Sequence, residues 1–146
     1  MKLSTRGRYG LRAMIDMAQN QDKSPMATRT IAAREGLSER YLEQLMVPLK
    51  RAGLVKSVRG SQGGYILARD PRDITAGDVI RVLEGPIAPV DCVSEASPEA
   101  CTRSDYCVTR TLWTKVRDSI AEVLDSYTLA DLAEESRQAP PGNIRL

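Results

Sequence analysis

The sequence predicts a mainly α-helical protein built on a winged helix-turn-helix, with a β-hairpin wing and a long C-terminal dimerisation helix. Three observations carry this prediction. The chain is 146 residues long with 42% hydrophobic residues, enough for one core of single-domain size. Only 4% of residues are aromatic and Phe is absent, so the core must be built from Leu, Ile, Val, Met and Ala, a composition that suits packed helices. Two short helical patterns meeting at a glycine lead directly into two β-prone runs.

Residues 9 to 20, YGLRAMIDMAQN, set Leu11, Met14, Ile15 and Ala18 at helical spacing for the core and leave Arg12, Asp16 and Gln19 on the outer face. After the breaker at Lys23, Ser24 and Pro25, Thr28 is placed to cap a short helix carrying Ile31 and Ala32, which Gly36 ends in a left-handed turn. Ser38 caps a longer helix to about Arg51, with Leu42, Leu45, Met46 and Leu49 inward and Gly53 as its stop. Pro48 lies inside this run and predicts a kink or a break near Val47. LVKSVRG and GGYILA then read as strands around the tip from Gly60 to Gly64. The tip is glycine-rich, but no helix start or Gly-Lys-Ser/Thr follows it, which argues against a nucleotide site.

Thr75 and Asp78 form a capping-box pattern opening a helix through Val79, Ile80, Val82 and Leu83, closed by Gly85 and Pro86. From Pro86 to about Tyr106 no period is visible, which predicts a loop of about twenty residues; segments this long are usually functional or disordered. Leu112, Trp113, Val116, Ile120, Val123 and Leu124 then restore an apolar helical stripe over 110 to 125. A second copy of the chain is its simplest partner, and packing back on the first helix is the alternative. Thr128 opens one more short helix. The expected organisation is a DNA-binding domain over 1–85, a cysteine-containing loop over 86–108, the dimerisation and terminal helices over 109–135, and a disordered tail over 136–146.

Charge is lopsided. The first 60 residues hold twelve Lys and Arg against five Asp and Glu, and the remainder holds nine against fourteen. A basic first half suits phosphates. The N-terminus lacks an apolar leader, and no apolar run approaches the roughly 18 residues that a membrane span needs, so a cytoplasmic protein is expected. In a reducing compartment, three cysteines do not suggest a disulfide framework. Cys92, Cys101 and Cys107, spaced C-x8-C-x5-C, all lie in the unstructured loop. Thiolates there suit iron in an iron-sulfur cluster or Zn2+. With no His in the chain and no Ser or Cys beside an evident base, an enzyme with a small-molecule substrate is not expected.

MKLSTRGRYGLRAMIDMA at the start, LSERYLEQLMVPLKRAGLVKSVRGSQGGYILAR across the second helix and wing, ITAGDVIRVLEGP after it, and the cysteine loop together resemble the bacterial IscR-type iron-sulfur cluster regulators. This winged-helix family also includes nitric-oxide sensors and cysteine-metabolism repressors. ITAGDVIRVLEGPIAPV is also similar to the cysteine-metabolism branch, which lacks the cluster cysteines. The resemblance implies a homodimer on double-stranded operator DNA, with the Ser38-capped helix in the major groove. Ser38, Glu39, Arg40 and Tyr41 would face base edges, with Glu43 and Gln44 one turn on. Arg40 suits guanine and Gln44 adenine. Arg59 and Ser61 of the wing suit a minor groove, and Lys2, Arg6, Arg8 and Arg29 suit phosphates.

The resemblance further implies a cluster, expected as 2Fe-2S, on Cys92, Cys101 and Cys107, in a protein that controls iron-sulfur biogenesis genes. The family's first cysteine interval is tighter, while its second matches. Where the family's namesake places a His, this chain has Arg110, and Arg8 stands where some relatives place an acid. Asp91, Glu95, Glu99 and Asp105 lie on the loop, and Glu43 on the reading helix is favoured as fourth ligand because it would link the cluster to base contacts. Nitric-oxide or redox sensing, cysteine-metabolism repression and a structural Zn site are the alternatives on this scaffold. An electron-transfer protein would leave the winged helix unexplained.

Overall fold

A computed structural model describes residues 2–96 and 98–140. Its elements run α1 (Thr5–Gln19), α2 (Thr28–Glu35), α3 (Glu39–Arg51), β1 (Val55–Val58), β2 (Gly64–Leu67), α4 (Ala76–Glu84), α5 (Val108–Ser126) and α6 (Leu129–Gln138). The winged helix-turn-helix is present: α2 and α3 are followed at once by an antiparallel hairpin in which Val55 faces Leu67 and Val58 faces Gly64.

Helix α1 begins four residues before the predicted start. Gly7 and Gly10 hide it, since glycine is a weak helix former, and both are required by packing on α4. A Cβ on Gly7 would overlap Glu84 Oε1, and one on Gly10 would overlap Leu83 Cδ1. Met14, Met17 and Ala18 enter the core as the spacing requires, with Leu11 and Ile15 half-buried beside them. Asp16 is not on the outer face as predicted. It is 5% exposed, and its carboxylate accepts two 2.8 Å hydrogen bonds from Arg34 of α2. A buried charge must be paired, and the bidentate guanidinium pairs it.

Thr28 is not the cap of α2. Ala27 occupies that position with no side-chain acceptor, and Thr28 is the first helical residue. At the other end the prediction holds: Gly36, at φ 68°, turns the chain where a side chain would be strained. Ser38 Oγ then accepts the Tyr41 N–H at 3.1 Å and starts α3. Helix α3 continues through Pro48 to Arg51, so the predicted break does not occur. The missing N–H falls one turn from the helix end, where few bonds remain to be lost. Leu42, Leu45, Met46 and Leu49 are buried, each contributing about 1.5–3 kcal/mol of hydrophobic stabilisation.

The Thr75–Asp78 capping box of α4 is present in both directions, at 2.9 and 3.0 Å. The stretch after α4, predicted to lack structure, is partly ordered. Ile87 and Val93 are buried, and Asp91–Val93 forms a single 3-10 turn. Glu95 fastens it by accepting the Ile87 N–H at 3.1 Å. These two apolar residues are too far apart in sequence to show a period, yet they pin the first half of the segment to the core. From Pro98 to Tyr106 the chain is exposed except at Ser104, which is half-buried.

No residue of α5 is fully buried; it packs mainly on α4 and the 3-10 turn. Helix α6 carries its own capping box at Thr128 and Asp131, and buries Leu129 and Ala133 against α1. It extends to Gln138, into the stretch 136–146 expected as a disordered tail, and residues 141–146 lie outside the described residues. No helix among the described residues is long and apolar enough to cross a membrane.

Candidate nucleic-acid interface

The outward edge of α3 is assembled by what its inward edge buries. With Leu42, Leu45, Met46 and Leu49 in the core, Glu39, Arg40, Glu43 and Gln44 are all exposed. Arg40 makes no ion pair among the described residues, and Gln44 no side-chain hydrogen bond, leaving both groups available to a partner. Ser38 is exposed but its oxygen is used as the helix cap. Tyr41 is half-buried: its hydroxyl donates to Thr5 Oγ1 at 3.3 Å, and its ring meets Tyr9 edge-on at 6.3 Å. It therefore braces α3 against α1. Helix α2 is held to α1 at its C-terminal end, by the Arg34–Asp16 pair and by Arg12 Nε donating to Glu35 at 3.0 Å.

Arg59 and Ser61 are exposed at the wing tip. Lys2, Arg6, Arg8 and Arg29 are exposed as well, and none forms an ion pair among the described residues. The wing is not a free arm. Tyr65 exchanges backbone hydrogen bonds with Met26, at 3.0 and 2.8 Å, so β2 also pairs with the segment leading into α2.

Glu43 lies where these parts meet. One carboxylate oxygen accepts the Thr28 hydroxyl at 2.8 Å and the other the Tyr65 hydroxyl at 2.6 Å. Burial, the hydrogen bond to Glu43 and the charge on Glu43 together push the Tyr65 phenol up to about 12. Thr28 and Tyr65 did not stand out in the sequence as functional residues. Thr28 has a cap residue's identity, and Tyr65 is an ordinary strand residue 22 positions from its partner.

The three cysteines are free thiols: Cys92 is half-buried in the 3-10 turn, Cys101 is exposed, and Cys107 immediately precedes α5. Cys107 Sγ lies 3.1 Å from Thr109 Oγ1. That hydroxyl, the Arg110 N–H and the nearby Arg103 hold its thiol below the ordinary range, as expected at a helix N-terminus. Arg110 Nε is buried without a hydrogen-bond partner. Three free thiols, one of them biased towards thiolate, fit an iron-sulfur group in donor chemistry. Among the described residues, however, the cysteines are not gathered into a ligand cluster, and Glu43 is not brought to them.

Comparison with known proteins gives a consistent picture. The model of the Rrf2 family, described as an iron-dependent transcriptional regulator, matches residues 3–135. The HTH-type transcriptional regulator CymR of Bacillus subtilis is 52% identical over 133 residues, covering 91% of this chain and 90% of that protein. A solved structure of CymR, described as the global cysteine regulator of B. subtilis, is similar with a TM-score of 0.77 at 50% identity, covering 92% of this chain and 98% of that one. The structure of IscR from T. potens is similar with a TM-score of 0.76 at 49% identity, covering 99% and 96%.

Proposed function

The chain belongs to the Rrf2 family of transcriptional regulators, and from that premise we propose that it reads double-stranded operator DNA as a cytoplasmic homodimer carrying an iron-sulfur cluster on Cys92, Cys101 and Cys107. The exposed edge of a capped α3, on which Arg40 and Gln44 have no side-chain partner among the described residues, backed by a wing fixed at its root, is the observation that carries the DNA reading. Arg40 and Gln44 face base edges, Arg59 and Ser61 enter the minor groove, and Lys2, Arg6 and Arg29 hold phosphates. Helix α5 supplies the dimer contact, since Leu112 and Val123 are 52% and 58% exposed on a helix with nothing fully buried.

Three free thiols between α4 and α5, with Cys107 inclined to ionise, support the cluster, expected as 2Fe-2S. When bound, such a cluster supplies a centre that responds to iron or to oxidants. Control of iron-sulfur biogenesis genes is the function this reading favours. With both oxygens of Glu43 engaged by Thr28 and Tyr65, the fourth ligand falls to a loop carboxylate such as Asp91, Glu99 or Asp105, or to an exogenous molecule.

A second reading, regulation of cysteine metabolism without a cluster, is favoured by the 52% identity to CymR and by the ungathered thiols. Anaerobic purification followed by visible absorption and iron and sulfide analysis separates the two. Broad visible absorption with iron and sulfide supports the cluster. A colourless, iron-free protein that still binds operator DNA supports the second reading, and bound zinc supports a structural site.

A further inference from the structure

The Glu43 carboxylate joins three parts of the interface that approach DNA separately. It stands on the exposed edge of α3, next to Gln44. Thr28 brings the first turn of α2 to it, and Tyr65 brings the second strand of the wing. The wing's root is held by Val55 in the core, by Leu67 packed against it and by the backbone pairing of Tyr65 with Met26. The Tyr65 hydroxyl on Glu43 adds a side-chain link, at 2.6 Å, from the wing's second strand directly to the exposed edge of α3, and this link bears on the angle between the two. A carboxylate acceptor makes both bonds charge-assisted, the stronger kind.

We propose that Tyr65 and Thr28 are positioning residues of the DNA site, acting through Glu43 to set the wing's angle to the reading helix, and so to set which bases the helix meets when the wing is seated. Glu43 is then a joint of the interface rather than a base reader or a metal ligand. A helix in one groove and a wing in the next must match the spacing of the duplex. An error in their relative angle therefore costs base readout while leaving the sequence-independent phosphate contacts in place.

This inference rests on α3 being the reading helix, and the experiment separates the two. Binding to an operator, to single-base variants of it and to a scrambled duplex would be measured for the full chain and for Tyr65→Phe, Thr28→Val, Glu43→Ala and Tyr65→Phe/Glu43→Ala. Tyr65→Phe, which removes one oxygen, is expected to weaken operator binding about tenfold, equivalent to about 1.4 kcal/mol. Scrambled duplex should be bound as before, and the pattern of preferred bases should be altered. Thr28→Val and Glu43→Ala should shift the pattern in the same way, and the double variant should be no worse than Glu43→Ala alone. An unchanged base pattern in Tyr65→Phe, equal losses on operator and scrambled duplex, or additive losses in the double variant would each overturn the proposal. Arg40→Ala serves as the separate check: if it leaves operator binding unchanged while Tyr65→Phe weakens it, α3 is not the reading helix and the proposal falls with that reading.

Discussion

Glu84 belongs to α4 yet caps α1. Its Oε1 accepts the Ser4 N–H at 2.8 Å and the Gly7 N–H at 3.1 Å, together with the Ser4 hydroxyl, and so satisfies donors that a helix start leaves unpaired. Burial works against ionisation here, but the bonds from Ser4 and Gly7 outweigh it and hold the carboxyl below its ordinary value. The folded form is thus the stronger acid. Its contribution to stability is complete above the unfolded value of about 4.3 and is lost as pH falls through the lower folded value. Glu84→Gln should therefore be less stable than the parent at neutral pH, and the difference should shrink in acid. Urea midpoints across that range would test this, and a pH-independent difference would argue against the cap. Gly10→Ala tests the same contact sterically: pushing a methyl group into Leu83 should destabilise the fold by about 1–3 kcal/mol. None of this is legible in the sequence, because Ser4 and Glu84 are 80 residues apart. The local caps were legible, since Thr75 with Asp78 and Ser38 with its following turn need no tertiary knowledge.

At the level of elements, Arg81 couples three of them. From α4 it grips Glu95 through Nε and Nη2, both at 2.9 Å, and its Nη2 also reaches Asp125 of α5 at 2.9 Å. Arg117 of α5 adds a 3.1 Å bond to the Val93 carbonyl. The stretch holding Cys92 is thereby clamped between α4 and α5. Arg81→Met should loosen this clamp at a cost of about 1 kcal/mol, a modest figure because the groups are partly exposed and solvent screens them. Hydrogen exchange should then speed up from Ile87 to Glu95 and near Asp125 while α3 keeps its protection; an unchanged stretch would mean that Ile87 and Val93 hold it alone. Periodicity located the helices that bury one stripe, as α3 does with Leu42, Leu45, Met46 and Leu49. It could not reveal the clamp or the Glu43 joint, whose partners are neighbours only after folding. It misplaced Asp16 for the same reason, because the Arg34 that justifies its burial lies on another helix.

For the whole molecule, a homodimer along α5 predicts that Val116→Glu or Ile120→Glu places an unpaired charge in an apolar seam, which is strongly unfavourable. Sedimentation should show monomer and operator affinity should fall; an intact dimer in both variants would place the contact elsewhere. Coupling between the cysteines and DNA predicts operator affinities differing by roughly 5- to 150-fold between cluster-loaded and cluster-free protein. Cys92→Ala, Cys101→Ala and Cys107→Ala should all match the cluster-free profile, and identical affinities of the two forms would leave any cluster a structural role. The core, meanwhile, closes without the exposed stretch from Pro98 to Tyr106. Leu129 and Ala133 reach α1 from beyond it, and the Ala76 N–H to Tyr127 and Leu129 N–H to Ile74 bonds, both 2.8 Å, tie α4 to the chain on its far side. Lengthening such a stretch adds a closure cost that grows only with the logarithm of its length. Residues can therefore be gained or lost within the exposed Pro98–Tyr106 stretch at little cost to folding, so the spacing of the cysteines is free to change there while the DNA-facing half keeps its own, separate constraint.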